Sequence, residues 1–180
     1  MNDDIERVLY SQADIAEACG RLGKQLTADY QDKVPVVISV LSGAVFFTTD
    51  VLRQMEVYTQ IDFIDVSSYN GGTHSSGEVR LVTDISQDVS GRDVLIIEDI
   101  VDTGRTLKFI IDLLKDRHAK SVKVCTLLDK PAGRVLEAKA DYVGFVVPDE
   151  FVVGYGLDYK GEYRNLPYVG VLKPKIYVNK

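Results

Sequence analysis

The chain has 180 residues, 46% of them hydrophobic, a length that suits one domain with a substantial core and is short for two. That composition is ordinary for a globular protein and excludes a disordered chain. The net charge of −6 argues against general binding to nucleic acid or to an anionic membrane surface.

Residues 1–33 read as helical. Ser11 followed by Asp14 has the form of a capping box, and Ile15, Cys19, Leu22 and Leu26 then share one face. The run VVISVL at 36–41 predicts a buried strand, ending at Ser42-Gly43. A helix pattern follows with Val45, Phe46, Val51 and Leu52. Taken by itself, Gly43 is no more than a turn glycine. Residues 57–68 look like a strand, with Val57, Thr59, Ile61 and Phe63 alternating. The stretch from Ser68-Tyr69 to Gly77 is small and polar with three glycines, as a hairpin loop would be, and 79–82 predicts another strand. His74 in that loop and His118 near a helix end read as solvated residues.

Residues 94–115 carry the most information. Val94, Leu95, Ile96 and Ile97 suit a central strand, and Leu107, Ile110, Ile111 and Leu114 mark one helix face. Between them lie Glu98, Asp99, Asp102, Thr103, Gly104, Arg105 and Thr106. A glycine before a helix N-terminus, flanked by hydroxyls, suits a phosphate group. Adjacent carboxylates suit a sugar diol, or Mg²⁺ held through its waters. An N-cap role for Asp102 or Thr103 would explain one or two of these residues, but not three carboxylates within five positions.

Residues 122–128 predict a strand, with Asp129-Lys130 at its end. Residues 142–164 include FVVGYGLDY, in which Phe151 and the valines alone would read as core and Asp158 as a turn acid. Residues 168–172 predict the last strand. Cys19 and Cys125 have no metal-ligand spacing and read as buried reduced thiols. There is no signal-peptide pattern, apolar run of 18 residues, repeat or composition break, so a soluble cytoplasmic protein is expected. The alternation of strands and helices predicts an α/β fold, a mostly parallel doubly wound sheet with right-handed crossovers.

VLIIEDIVDTG resembles the phosphoribosyl-pyrophosphate signature of the type I phosphoribosyltransferases. It is neither a Walker loop nor a dinucleotide fingerprint. Residues 151–159 resemble the base-binding segment of the hypoxanthine-guanine phosphoribosyltransferases, and the Ser68-Tyr69 pair resembles the start of their mobile loop. Three separated motifs agree in order and spacing between about 36 and 172. The chain is therefore identified as a member of that family, of the short bacterial kind.

The resemblance implies transfer of a 5-phosphoribosyl group from phosphoribosyl pyrophosphate to N9 of hypoxanthine or guanine, with Mg²⁺. It implies one domain over 1–180, with a small hood formed by the N- and C-terminal segments. Asp102 would be the general acid/base at N7, while Glu98 and Asp99 hold the ribose diol and the metal. Thr103, Gly104, Arg105 and Thr106 would cradle the 5′-phosphate. Lys130 would meet the exocyclic oxygen, Phe151 stack on the purine and the Val152 backbone read its edge, with Arg134 in support. Asp158 would hold a second Mg²⁺, Arg164 contact pyrophosphate, and residues 69–77 close as a lid. Ser42-Gly43 would touch pyrophosphate through a cis peptide between those two residues. Ser42 stands where many relatives have Lys or Arg. A homodimer or homotetramer with no nucleic-acid or membrane partner is implied. Three alternatives remain: an RNA-binding regulatory homologue, a xanthine or pyrimidine phosphoribosyltransferase, and a non-enzymatic nucleotide-binding module.

Overall fold

The computed structural model describes residues 1–68 and 79–178. In chain order these form β1 (Ile5–Tyr10), α1 (Gln12–Asp29), β2 (Val36–Leu41), α2 (Val45–Leu52), β3 (Gln60–Ser68) and β4 (Val79–Thr83). They continue with β5 (Asp93–Val101), α3 (Arg105–Asp116), β6 (Ser121–Asp129), β7 (Tyr142–Val146), β8 (Val152–Val153), β9 (Val169–Leu172) and α4 (Pro174–Tyr177).

The two most apolar runs become neighbours. β2 and β5 pair in parallel, Val36 with Val94 and Ser39 with Ile97, at the centre of a sheet ordered β4-β3-β2-β5-β6-β7. All its adjacent pairs are parallel except β3 with β4. Because successive side chains point to opposite faces, β5 feeds both cores. Leu95 and Ile97 pack with Leu22, Leu26 and Phe47 of α1 and α2. Val94 and Ile96 pack with Leu107, Ile110 and Leu114 of α3. Each such fully buried side chain stabilises the fold by roughly 1.5–3 kcal/mol. A second sheet, β1-β9-β8, is antiparallel and joins the N-terminal strand to two C-terminal ones. The fold is the doubly wound, mostly parallel α/β sheet with a small antiparallel hood.

Several local expectations need correction. The first 33 residues are not all helix: the capping box at Ser11 and Asp14 is present, but it starts α1 after a strand. That strand is made by β9, more than 150 residues away, which no local pattern announces. In β3 the apolar alternation is misleading, since Ile61 and Phe63 are 49% and 44% exposed while Asp62 and Ile64 turn inward. Asp62 is accommodated because the amides of Phe63, Ser86 and Gln87 donate to its carboxylate. Phe47, not Phe46, is the buried aromatic of α2. β5 runs past Ile97 to Val101, so Glu98 and Asp99 belong to the strand, with Glu98 opposite Thr126 and Ile100 opposite Leu128 in β6. Among the described residues no helix is long and apolar enough to cross a membrane. Cys19 and Cys125 are buried free thiols, and burial pushes Cys19 up to about 11.

Candidate active site

The carboxyl ends of β2, β5 and β6 open onto two adjoining clefts. The first, of about 300 Å³, is lined by Ser42, Gly43, Glu98, Asp99, Asp102, Thr103, Gly104, Thr106, Asp158 and Arg164. The second, of about 240 Å³, is lined by Lys130, Phe151, Val152 and Leu157 and shares Asp99, Ile100, Asp102 and Asp158 with the first. Asp102 thus faces both.

Gly104, at φ 82°, is the N-cap of α3, and no side chain caps the helix. The Arg105 amide makes a long bond, 3.4 Å, to Thr103 Oγ1, and the first turn sets its amides at the positive end of the helix dipole beside the hydroxyls of Thr103 and Thr106. The loop is clamped from behind. Lys130 N donates to Val101 O at 2.9 Å, and Val135 N and Leu136 N both donate to Thr103 O at 3.0 Å. Arg134 donates from Nε to Asp102 O at 2.9 Å, and from Nη2 to Val101 O at 3.1 Å and to the Asp129 carboxylate. The resemblance gave Arg134 a supporting role, but that it acts by fixing this loop has no pattern in the sequence, where it is an arginine five residues after a strand end. The Arg105 side chain lines a different cavity, with Lys108, Phe109 and Leu136, so it is not brought into the cleft. Position N1 of α3 points it away, leaving only its amide at the loop.

Glu98 is buried, and Asp99 half-buried beside it. Burial pushes Glu98 well above the usual carboxylate range, and the Asp99 charge adds to the effect. Asp99 is raised by burial as well, against the pull of Glu98, the Ile100 amide and Arg164. Such a pair is short of positive charge and suits two hydroxyl donors or a hydrated cation. No group of three or more His, Cys, Asp or Glu side chains set to hold a metal occurs among the described residues. The oxygen donors nevertheless fit Mg²⁺, which is commonly held by one or two carboxylates together with substrate phosphates. Asp158 sits 2.9 Å from Arg164 Nη2 and accepts from Gly161 N at 2.7 Å.

In the second cleft Lys130 Nζ lies 2.9 Å from Asp149 Oδ1 and donates to Glu150 O at 3.3 Å. The Phe151 ring stacks on Tyr177 of α4, centroids 4.9 Å apart at 22°, and meets the Tyr159 ring near perpendicular, centroids 5.6 Å apart at 88°. Asp149 and Tyr177 escaped the sequence reading. An acid in a loop and a tyrosine near the C-terminus carry no signal until the chain folds.

The cis peptide falls between Leu41 and Ser42, one bond before the expected Ser42–Gly43. Gly43 has a different task. A β-carbon there would lie 1.7 Å from Asp99 Oδ2, and one on Gly156 would lie 1.9 Å from Gly43 O. Ser68 ends β3, while Tyr69, His74 and the expected lid at 69–77 lie outside the described residues.

Residues 8–160 match the phosphoribosyl transferase domain model. The chain is 54% identical over 177 residues to a hypoxanthine-guanine phosphoribosyltransferase of Bacillus subtilis, covering 98% of each. It is 58% identical over 177 residues to the bifunctional protein TilS/HprT of Listeria monocytogenes, covering 98% of this chain but only 27% of that protein's length. A crystal structure of a hypoxanthine phosphoribosyltransferase from Staphylococcus aureus superposes with a TM-score of 0.94 at 50% identity, covering 98% of this chain and 96% of that one.

Proposed function

The chain belongs to the phosphoribosyl transferase domain family, and from that premise we propose that it is a hypoxanthine-guanine phosphoribosyltransferase. It transfers the 5-phosphoribosyl group of phosphoribosyl pyrophosphate to N9 of hypoxanthine or guanine, giving IMP or GMP and pyrophosphate, a purine-salvage reaction. The observation that carries this reading is Asp102, which lines both a cleft suited to a sugar phosphate and one suited to a flat base. Residues 1–180 act as one transferase domain. The protein works in the cytoplasm as a homodimer or homotetramer.

The purine lies against Phe151, with Lys130 donating to its 6-oxo group and the Val152 backbone at its edge. The uncapped start of α3, with Thr103 and Thr106, takes the 5′-phosphate. Glu98 and Asp99 accept from the ribose hydroxyls, and Asp158 and Arg164 face the pyrophosphate end. Ser68 and Tyr69 are assigned to closure over the substrates.

The bond from C1′ to the pyrophosphate oxygen breaks as N9 attacks from the opposite face, and the anomeric carbon gains oxocarbenium character. Arg164 and backbone N–H groups stabilise the departing charge. Asp102 handles the one proton the purine must shed, at N7. Glu98, Asp99 and Asp158 would hold Mg²⁺, which when bound neutralises negative charge on the leaving pyrophosphate.

The test is a panel of hypoxanthine, guanine, xanthine, adenine and uracil, each with phosphoribosyl pyrophosphate and Mg²⁺. Turnover confined to the first two is expected. Turnover of xanthine or uracil alone, or of no base, overturns the reading.

A further inference from the structure

Residues 154–156 are three successive residues with positive φ, at 100°, 50° and 102°. Glycine adopts this conformation freely, but the middle residue is Tyr155. A tyrosine in the left-handed region needs surrounding structure to hold it there. It is held by its own amide, which donates to Leu166 O at 2.9 Å, and by a side chain reaching across the molecule. Its hydroxyl donates to Asp50 Oδ2 of α2 at 2.6 Å and lies 3.9 Å from Cys19 Sγ of α1. The ring itself is buried, 6.2 Å from the Phe46 ring.

The turn so pinned touches the first cleft at three points. Gly156 packs against Gly43 O so closely that a β-carbon would overlap it. Gly156 O accepts from Arg164 Nη1 at 2.5 Å, and Gly156 N donates to Arg164 O at 2.9 Å. Two residues on, Asp158 pairs with the same arginine. Arg164, Asp158 and the Ser42-Gly43 loop therefore share one support; of the two clefts, Arg164 and the loop line the first alone, while Asp158 lines both.

We propose that Tyr155 and Asp50 form a positioning pair that holds the Gly156–Arg164 hairpin at the pyrophosphate end of the cleft. Neither residue touches substrate. Their bond sets the affinity for phosphoribosyl pyrophosphate, while the hairpin reaches the second cleft only through Leu157, Asp158 and the Tyr159 ring beside Phe151. This rests on the reading of the first cleft as the phosphoribosyl pyrophosphate site.

The test compares Tyr155→Phe, Asp50→Ala and Asp50→Asn with the unaltered protein. Asp50 is exposed, so its variants are expected to fold even if Tyr155→Phe does not. Amide exchange at 154–158 is measured first, without ligand. It should quicken in Tyr155→Phe and Asp50→Ala and return toward the original in Asp50→Asn, whose amide oxygen still accepts the hydroxyl. KM for phosphoribosyl pyrophosphate should then rise about three- to tenfold in the first two, the worth of one net hydrogen bond, with KM for hypoxanthine changed less than twofold. Unchanged exchange at 154–158, or KM values rising together for both substrates, would overturn the pair. An unaltered protein with no turnover, alongside the expected exchange pattern, would instead count against the function proposed for the cleft.

Discussion

A β-carbon on Gly43 would stand 1.7 Å from Oδ2 of Asp99, so the loop after β2 meets the acid pair of β5 through bare backbone. Two strand ends are thereby brought closer than any side chain would allow. Gly43→Ala must displace either the Asp99 carboxylate or the loop, and Gly156 blocks retreat on the other side. We expect kcat/KM for phosphoribosyl pyrophosphate to fall by at least about tenfold, because ångström-scale misplacement of a positioning group is costly. Kinetics within twofold of the original would mean that the contact is slack.

Lys130 has donors only, so it donates to a 6-oxo group and meets a 6-amino group donor to donor. Its ammonium pairs with Asp149, whose side chain is 71% exposed. An ion pair with so exposed a partner is weak, so the base displaces it cheaply. Lys130→Ala is expected to raise KM for hypoxanthine and guanine by tenfold or more. Asp149→Ala should shift them less than threefold. A base KM that ignores Lys130 would remove it from base recognition.

The stacking of Phe151 on Tyr177 makes the C-terminal helix a support for the base site. An aromatic pair contributes about 0.5–1.5 kcal/mol beyond buried area. Tyr177→Ala should therefore raise the hypoxanthine KM about two- to tenfold with the phosphoribosyl pyrophosphate KM unchanged, and Tyr177→Phe should not. Steady-state assays with each substrate varied in turn decide it, and equal values for the alanine and phenylalanine variants would refute the support.

Asp62 offers a pH test of stability. Burial alone would raise its carboxyl, but hydrogen bonds from the Gln87, Phe63 and Ser86 amides and the Ser86 hydroxyl lower it on balance. A group lowered in the folded state stabilises above its unfolded value, about 3.9, and that contribution is lost as pH falls through the acid range. Asp62→Asn should cost about 1–3 kcal/mol at pH 7, since one oxygen facing N–H donors becomes an NH₂. The difference in Tm between variant and parent should shrink below about pH 4. A gap independent of pH would mean that the charge at Asp62 contributes nothing.

What could be read in advance follows from locality. The helix of 105–116 and the strands at 36–41 and 121–129 announce themselves because each buries a face whose period lies within one segment. The loop from Asp102 to Thr106 is equally legible, since strand end, glycine and helix start are contiguous. β1 was lost because β9 supplies its pairing, and β3 was turned over because an acid occupies the inward position that Ile61 seemed to claim. Of the supports of the site, Arg134 was named only through the family resemblance, and the others were invisible for the same reason. Arg134 on Asp102, Asp50 on Tyr155 and Tyr177 on Phe151 are separated by 32, 105 and 26 positions, and only the folded chain joins them.

Asp102 decides between an enzyme and a module that merely binds nucleotides. Its carbonyl is fixed by Arg134, and it lines both clefts, the one with Lys130 and the one at the start of α3. Asp102→Asn preserves size and hydrogen bonding to the base but removes the proton acceptor. If Asp102 moves the N7 proton, kcat should fall about 10²–10⁴-fold, the range of general acid–base catalysis. KM for phosphoribosyl pyrophosphate should stay within about threefold, because Thr103–Thr106 and the acid pair are untouched. A variant that turns over at near the parent rate would assign the proton elsewhere, and one that loses sugar-phosphate affinity along with rate would show that Asp102 shapes the loop instead.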